Sequence, residues 1–160
     1  MSGKMINQLF PLTVEEIIFL RELQAGEGRF LVVGMSAAVL QGADIGTKDI
    51  DLWFEHPLDE GLEKAARAVG GIFIWRPADL PILGGSALSR IDLVNHCHGL
   101  DDFETEYSRA VNVQLEGIPL KILPLDRVIA SKRAAGRLKD KAAMPALKAA
   151  LMGLRFKGGL

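Results

Sequence analysis

The apolar residues of this chain fall in short blocks separated by glycine and proline, and the spacing inside each block decides its element. Ile17, Leu20 and Leu23 recur at helical spacing behind Thr13 and Glu16, a capping-box pattern, so a helix is predicted from about Val14 to Ala25, stopped by Gly26 and Gly28. Phe30–Val33 is a continuous apolar run and reads as a buried strand. Gly34 turns the chain into a short helix through Ser36 to Leu40, which Gly42 closes. From Asp49 to Glu55 acidic and apolar residues alternate, the mark of a strand with two unlike faces. Pro57 opens a helix in which Leu58, Leu62, Ala65, Ala66 and Val69 share a face. Ile72–Trp75 and Arg90–Asn95 predict strands, and Arg76–Leu88, with Pro77, Pro81, Gly84 and Gly85, a loop. Val111–Glu116 and Ile118–Leu123 predict a hairpin turning at Glu116-Gly117. Pro124 opens a helix to about Leu138, and Leu147, Ala150, Leu151 and Leu154 define a last one. Residues 1–12, with an apolar patch at Leu9 and Phe10, and 155–160 are expected to be loose tails.

Strands interleaved with helices, one hairpin among them, argue for an α/β (α+β) domain: a mixed β-sheet with helices packed on it. A length of 160 residues is that of one domain spanning 1–160. With 49% apolar and 24% charged residues and a mean hydropathy of +0.19, it has enough apolar material for a core. The net charge of −1 gives no global attraction to DNA or to an anionic membrane. The lone Cys97 excludes an internal disulfide framework and suits a reducing compartment. No apolar run reaches the roughly 18 residues of a membrane span, and the first residues lack a signal-peptide layout. A soluble, cytoplasmic domain is the expectation.

Asp49 and Asp51, two apart on a predicted strand, direct their carboxylates to one face while Ile50 and Leu52 point to the core. Like charges so close are retained most readily where cations neutralise them, and hard oxygen ligands at this spacing suit Mg²⁺. Asp92, in Arg90-Ile91-Asp92-Leu93, offers a third carboxylate. If its strand neighbours that of Asp49, the three can hold two metal ions roughly 3.5–4 Å apart, as in phosphoryl-transfer sites. Such a pair on a strand is otherwise an ordinary solvated face. The short helix beginning at Gly34 adds backbone N–H groups able to receive phosphate oxygens.

Leu31-Val32-Val33-Gly34-Met35-Ser36-Ala37-Ala38, followed by Thr47-Lys48-Asp49-Ile50-Asp51-Leu52, resembles the signature of the nucleotidyltransferase superfamily with the DNA polymerase β-type fold. Arg90-Ile91-Asp92-Leu93 supplies the third acid of that pattern. Leu125-Asp126-Arg127-Val128-Ile129-Ala130-Ser131-Lys132, leading to Gly136-Arg137-Leu138-Lys139-Asp140, is similar to the minimal nucleotidyltransferases of the AbiEii-like and antitoxin-like branch. The resemblance runs from about Arg29 to Leu151. It implies that Asp49, Asp51 and Asp92 bind Mg²⁺, two ions in all, and the nucleoside triphosphate, with Asp92 also assisting deprotonation of an acceptor hydroxyl. It places Gly34 and Ser36 near the phosphates, with Thr47 and Lys132 also on the nucleotide. The reaction implied is in-line attack on the α-phosphate with release of pyrophosphate. The acceptor is left open among a protein hydroxyl, a tRNA end and a small molecule. Two positions depart from the pattern: Met35 stands where the family has a second small residue, and Ile45 where many relatives carry arginine. They motivate an alternative, a catalytically degenerate module that neutralises a partner protein as an antitoxin does.

Lys132 shares the buried stripe of Leu125, Val128 and Ile129, so its ammonium either finds an anion, a carboxylate of the cluster or a phosphate, or snorkels out to water. Arg133, Arg137 and Lys141 fall at helical spacing on another face, which is a solvated surface or a contact for RNA or a partner. His96, Cys97 and His98 lack a second cluster that would complete a zinc site, and His96 is placed to border an acceptor pocket. Trp53 and Trp75 read as packing residues of strands.

Overall fold

A computed structural model describes residues 11–158 of the chain; the apolar patch expected at Leu9 and Phe10 lies outside them. Helix α1 (Val14–Ala25) opens with the capping box in full: Glu16 N–H donates to Thr13 Oγ1 at 3.0 Å, and Thr13 N–H donates to Glu16 Oε1 at 2.9 Å. Strand β1 (Phe30–Val33) follows, then α2 (Gly34–Leu40), β2 (Ile50–Phe54), α3 (Glu60–Ala68), β3 (Ile72–Ile74), β4 (Ile82–Gly84) and a 3₁₀ turn (Ser86–Leu88). The remainder is β5 (Ile91–Val94), α4 (Phe103–Ser108), β6 (Val111–Leu115), β7 (Ile118–Ile122), α5 (Leu125–Ala135) and α6 (Leu138–Gly158).

The domain is α+β. Its main sheet has the order β5-β2-β1-β7-β6, antiparallel at β2/β1 and β7/β6 and parallel at β5/β2 and β1/β7. All four residues of β1 are buried, so the central strand is covered on both faces, which is why it reads as an unbroken apolar run. Helix α1 packs on α3, and α5 on α6. Leu31, Leu52, Leu120, Ile122, Leu125, Val128 and Leu147 form the centre of the core. The β6–β7 hairpin turns at Glu116 (φ 51°) and Gly117 (φ 75°), the two positive φ values that a two-residue primed turn demands.

Several boundaries differ from the expectations. The helix after Pro57 starts at Glu60, because Asp59 accepts from Gly61 N–H at 2.8 Å and takes the N-cap. The Arg76–Leu88 segment is not all loop: β4 pairs with β3 in a separate two-stranded sheet. Trp75, at the end of β3, is exposed rather than packed, whereas Trp53 is buried edge-on against Phe103. Helix α5 ends at Ala135, where Gly136 adopts φ +63° and closes it. Arg133, Arg137 and Lys141 therefore do not share one helix. Helix α6 runs through Pro145 and on to Gly158, so residues 155–158 continue the helix instead of fraying.

Candidate active site

The site is assembled where β1 gives way to α2. Strand β2 lies between β1 and β5, with Asp51 opposite Val33 on one side and Asp92 on the other. Parallel pairing in this register sets Asp51 and Asp92 side by side on one face. Asp49 lies just before β2, exposed, with its carboxylate near enough to that of Asp92 for the two to share a proton. Alternation then does what the sequence pattern requires: Ile50 and Leu52 are buried and the acids face the opening.

The crowding of carboxylates raises the proton affinity of Asp51 and Asp92. Burial, then the charges of Asp92 and Asp49, push the Asp51 carboxyl up to about 6, against the opposing pull of Lys132 and Lys139. Burial, the Asp49 charge and the Asp49 hydrogen bond hold Asp92 above the usual carboxylate range as well. Among the described residues no three His, Cys, Asp or Glu side chains close on one point to hold a metal ion by themselves. The donor set is hard, anionic and left open on one side. It fits Mg²⁺, which keeps part of its coordination shell for waters and substrate phosphates, and does not amount to a closed protein cage.

Gly34 opens α2 with φ +64°, and a Cβ built on it would overlap Asp51 Oδ2. Only glycine allows the backbone this approach to the carboxylate. Ser36 is wholly buried: its Oγ donates to Val33 O at 2.7 Å and accepts from Asp51 N–H at 3.2 Å. The hydroxyl thus ties the start of α2 to β2 and holds Asp51 in place, and it does not reach the opening. Thr47 lines the opening, its Oγ1 donating to Asp49 O at 3.2 Å.

These groups face a cleft of about 560 Å³ whose wall includes Gly34, Thr47, Asp49, Asp51, Asp92 and Lys132. Lys132 arrives from the last turn of α5, which is pinned at its first turn by Gln41: Gln41 Oε1 accepts from Leu125 N–H at 3.0 Å while its Nε2 donates to Leu123 O at 2.8 Å. Lys132 Nζ stands 3.9 Å from Asp140 Oδ1 and exerts its charge on Asp51. Its anions are therefore carboxylates on both sides. Asp140 is buried and accepts from Arg137 N–H at 3.1 Å and from Arg137 Nε at 2.7 Å. Arg137 and Lys139 also line the cleft. The sequence marks them only as members of the Gly136-Arg137-Leu138-Lys139-Asp140 stretch that carries the resemblance, with no place in the cleft assigned.

Asp92, Val94 and His96 alternate along one face of β5 and its extension into the cleft. His96 and His98 stand edge to face at 5.3 Å between ring centres, and His96 Nδ1 lies 3.2 Å from Asn95 Oδ1. Burial pushes the Cys97 thiol up to about 11, so it is not a thiolate at neutral pH. The two residues that depart from the family pattern, Met35 and Ile45, both line the cleft.

No family model matches the chain, and no curated protein matches it. Among solved structures it is similar to the antibiotic-resistance factor ANT(2'')-Ia, with a TM-score of 0.59 over 94% of this chain and 86% of that one, at 14% identity. An antigenic nucleotidyltransferase-like protein from Paracoccidioides brasiliensis aligns over 92% of this chain and 90% of its own, at 13% identity and a TM-score of 0.44. No helix of the described residues is long and apolar enough to cross a membrane. The likeness to ANT(2'')-Ia is one of architecture, and with it the mixed five-stranded sheet flanked by helices is the nucleotidyltransferase fold.

Proposed function

We propose that this chain is a Mg²⁺-dependent nucleotidyltransferase, moving a nucleoside monophosphate from a nucleoside triphosphate to an acceptor hydroxyl. The observation that carries the reading is the pairing of Asp51 with Asp92 across β2/β5, with Asp49 and Lys132 lining the same cleft. Asp49, Asp51 and Asp92 would hold the metal, which when bound neutralises the triphosphate and the charge that develops at the α-phosphorus. Lys132 and Lys139 draw the anionic substrate to the same wall. Asp92 receives the proton of the acceptor hydroxyl as its oxygen bonds to the α-phosphorus. The bond to the β-phosphate breaks and pyrophosphate leaves. Gly34 keeps the wall open beside Asp51, and Ser36 fixes the strand that carries it.

A second reading rests on Met35 and Ile45, which put apolar side chains into the cleft wall where the family pattern has a small residue and an arginine. In that reading the domain has lost transfer and acts as a neutralising module, an antitoxin-like partner of another protein. Calorimetric titration of ATP, CTP, GTP and UTP, with and without Mg²⁺, separates the two. Mg²⁺-dependent binding that disappears in Asp49→Asn/Asp51→Asn supports the enzyme. Failure of well-folded protein to bind any of the four nucleotides sinks it, and co-purification with a protein partner then supports the module.

A further inference from the structure

Helix α6 carries two apolar stripes, and only one of them meets the domain. Ala143 and Leu147 are buried, with Met144, Ala150 and Leu151 packed against the core beside them. Leu138, Ala142, Pro145, Ala149, Met152 and Phe156 form the other stripe, spaced alternately four and three residues apart. At 3.6 residues per turn, each lies within about 40° of the point opposite Leu147. All six are exposed, Leu138 to 85%, Met152 to 71% and Phe156 to 75%. The row is about 27 Å long at 1.5 Å per residue. None of residues 148–157 is buried, so its outer half stands clear of the core.

Alternation of four and three is the a/d repeat of a coiled coil, whose side chains pack into holes on a second helix. Ala142, Ala149 and Phe156 take the a positions, and Leu138, Pro145 and Met152 the d positions. Every g position is then basic: Lys141, Lys148 and Arg155, all exposed. The one acid of α6, Asp140, is buried against Arg137 and Lys132 on the inner side. The seam is thus bordered by cations that no acid of this helix neutralises.

We infer that this row is the docking face for an amphipathic helix of another protein, one whose apolar seam is bordered by glutamate or aspartate. Charges at e and g decide which helices pair, and basic g positions select acids across the seam. A second copy of this chain does not supply them. Its own seam is bordered by Lys141, Lys148 and Arg155 on one side and by Lys139, Ala146 and Gly153 on the other. A phosphate backbone would meet the cations but leave the apolar row in water. None of the six seam residues lines the cleft, so the docking stands whether or not the cleft transfers nucleotides.

The test is fluorescence anisotropy of two labelled peptides of three heptads each, both with leucine at a and d. One carries glutamate at e and g, the other lysine. The full chain should bind the glutamate peptide at least about tenfold more tightly than the lysine peptide. Met152→Ala/Phe156→Ala should weaken that binding at least about tenfold, because it removes the two large anchors of the outer half. Lys141→Glu/Lys148→Glu/Arg155→Glu should reverse the preference between the peptides. Both variants should keep the thermal midpoint of wild type, since every altered side chain is exposed. Binding of neither peptide, equal binding of both, or binding unchanged in Met152→Ala/Phe156→Ala would overturn the assignment. So would a wild-type dimer in sedimentation that falls to monomer in that variant, which gives the row to a second copy. So would a single-stranded RNA that displaces the glutamate peptide and binds that variant as well as wild type, which gives the cations to nucleic acid.

Discussion

Gly34 and Asp51 are packed so closely that the missing side chain of one makes room for the carboxylate of the other. Gly34 also holds φ +64°, a region an L side chain enters at a cost of about 1–3 kcal/mol. Gly34→Ala should therefore suffer twice, from backbone strain and from overlap with Asp51 Oδ2. Expected is a loss of about 2–4 kcal/mol in urea unfolding, strain and overpacking together, with loss of Mg²⁺-dependent nucleotide binding. A variant as stable as wild type would show that the approach of backbone to carboxylate is not needed.

The raised Asp51 carboxyl makes stability depend on pH in a defined direction. Its folded value of about 6 lies above the 3.8 of the free side chain, so between these two pH values the native state holds a proton that the unfolded chain has released. Metal-free protein should lose stability as pH rises through that window, by about 1–3 kcal/mol, and Asp51→Asn should remove most of the dependence. Mg²⁺ binding favours the ionised carboxylates, so added Mg²⁺ should raise the melting temperature at pH 7.5 and do little at pH 5. Melting curves at both values, with Mg²⁺ and with a chelator, check this; equal Mg²⁺ effects at the two values would contradict it.

Lys132 is held between Asp140 and the acidic cluster, and its charge draws the Asp51 carboxyl down. In Lys132→Met the Asp51 value should move further up, which carboxyl-resolved NMR titration reads directly. Nucleotide affinity should fall at least about tenfold, the loss of one charge-assisted contact. Asp140→Ala should move the Asp51 value the other way, downward, because it removes an acid and frees the lysine. It should also destabilise the fold by about 1–3 kcal/mol through the orphaned Arg137 N–H. An Asp51 value indifferent to Lys132 would place the ammonium elsewhere.

What was legible in the sequence was local. The alternation Asp49-Ile50-Asp51-Leu52 foretold which side chains face the cleft, and Glu116-Gly117 foretold a hairpin, because strand period and turn chemistry act over a few residues. The partners that finish the site act over long separations. Gln41 pins α5 across more than eighty residues of chain. Ser36 looked like a phosphate ligand from its place in a motif, yet its hydroxyl is spent on Val33 and Asp51 within the fold. The basic stripe through Arg133, Arg137 and Lys141 failed for a local reason: Gly136 in the left-handed region ends one helix and lets another begin. Helix α4, with the polar sequence FETEYS, has no apolar period to announce it and is held by tertiary contacts.

The chief of those contacts is Glu106, fully buried, which accepts from Arg127 at 3.0 and 2.6 Å and from Asp101 N–H at 2.8 Å. Burial alone drives its carboxyl up; hydrogen bonds from Arg127 and Asp101, with the Arg109 charge, more than reverse this and hold it below its ordinary value. The pair fastens α4 to α5, the helix that carries Lys132. Removing the acid in Glu106→Leu leaves Arg127, largely buried, with only the longer contact to Asp101 at 3.8 Å, for which a loss of about 3 kcal/mol is expected. Because the folded value is depressed, the stability Glu106 contributes is complete above its unfolded value near 4.5 and disappears as pH falls through the folded one. Unfolding by urea at pH 7 and at pH 3 therefore should separate wild type from Glu106→Leu widely at the first and narrowly at the second. An equal gap at both values would mean that packing, not the ion pair, joins the two helices.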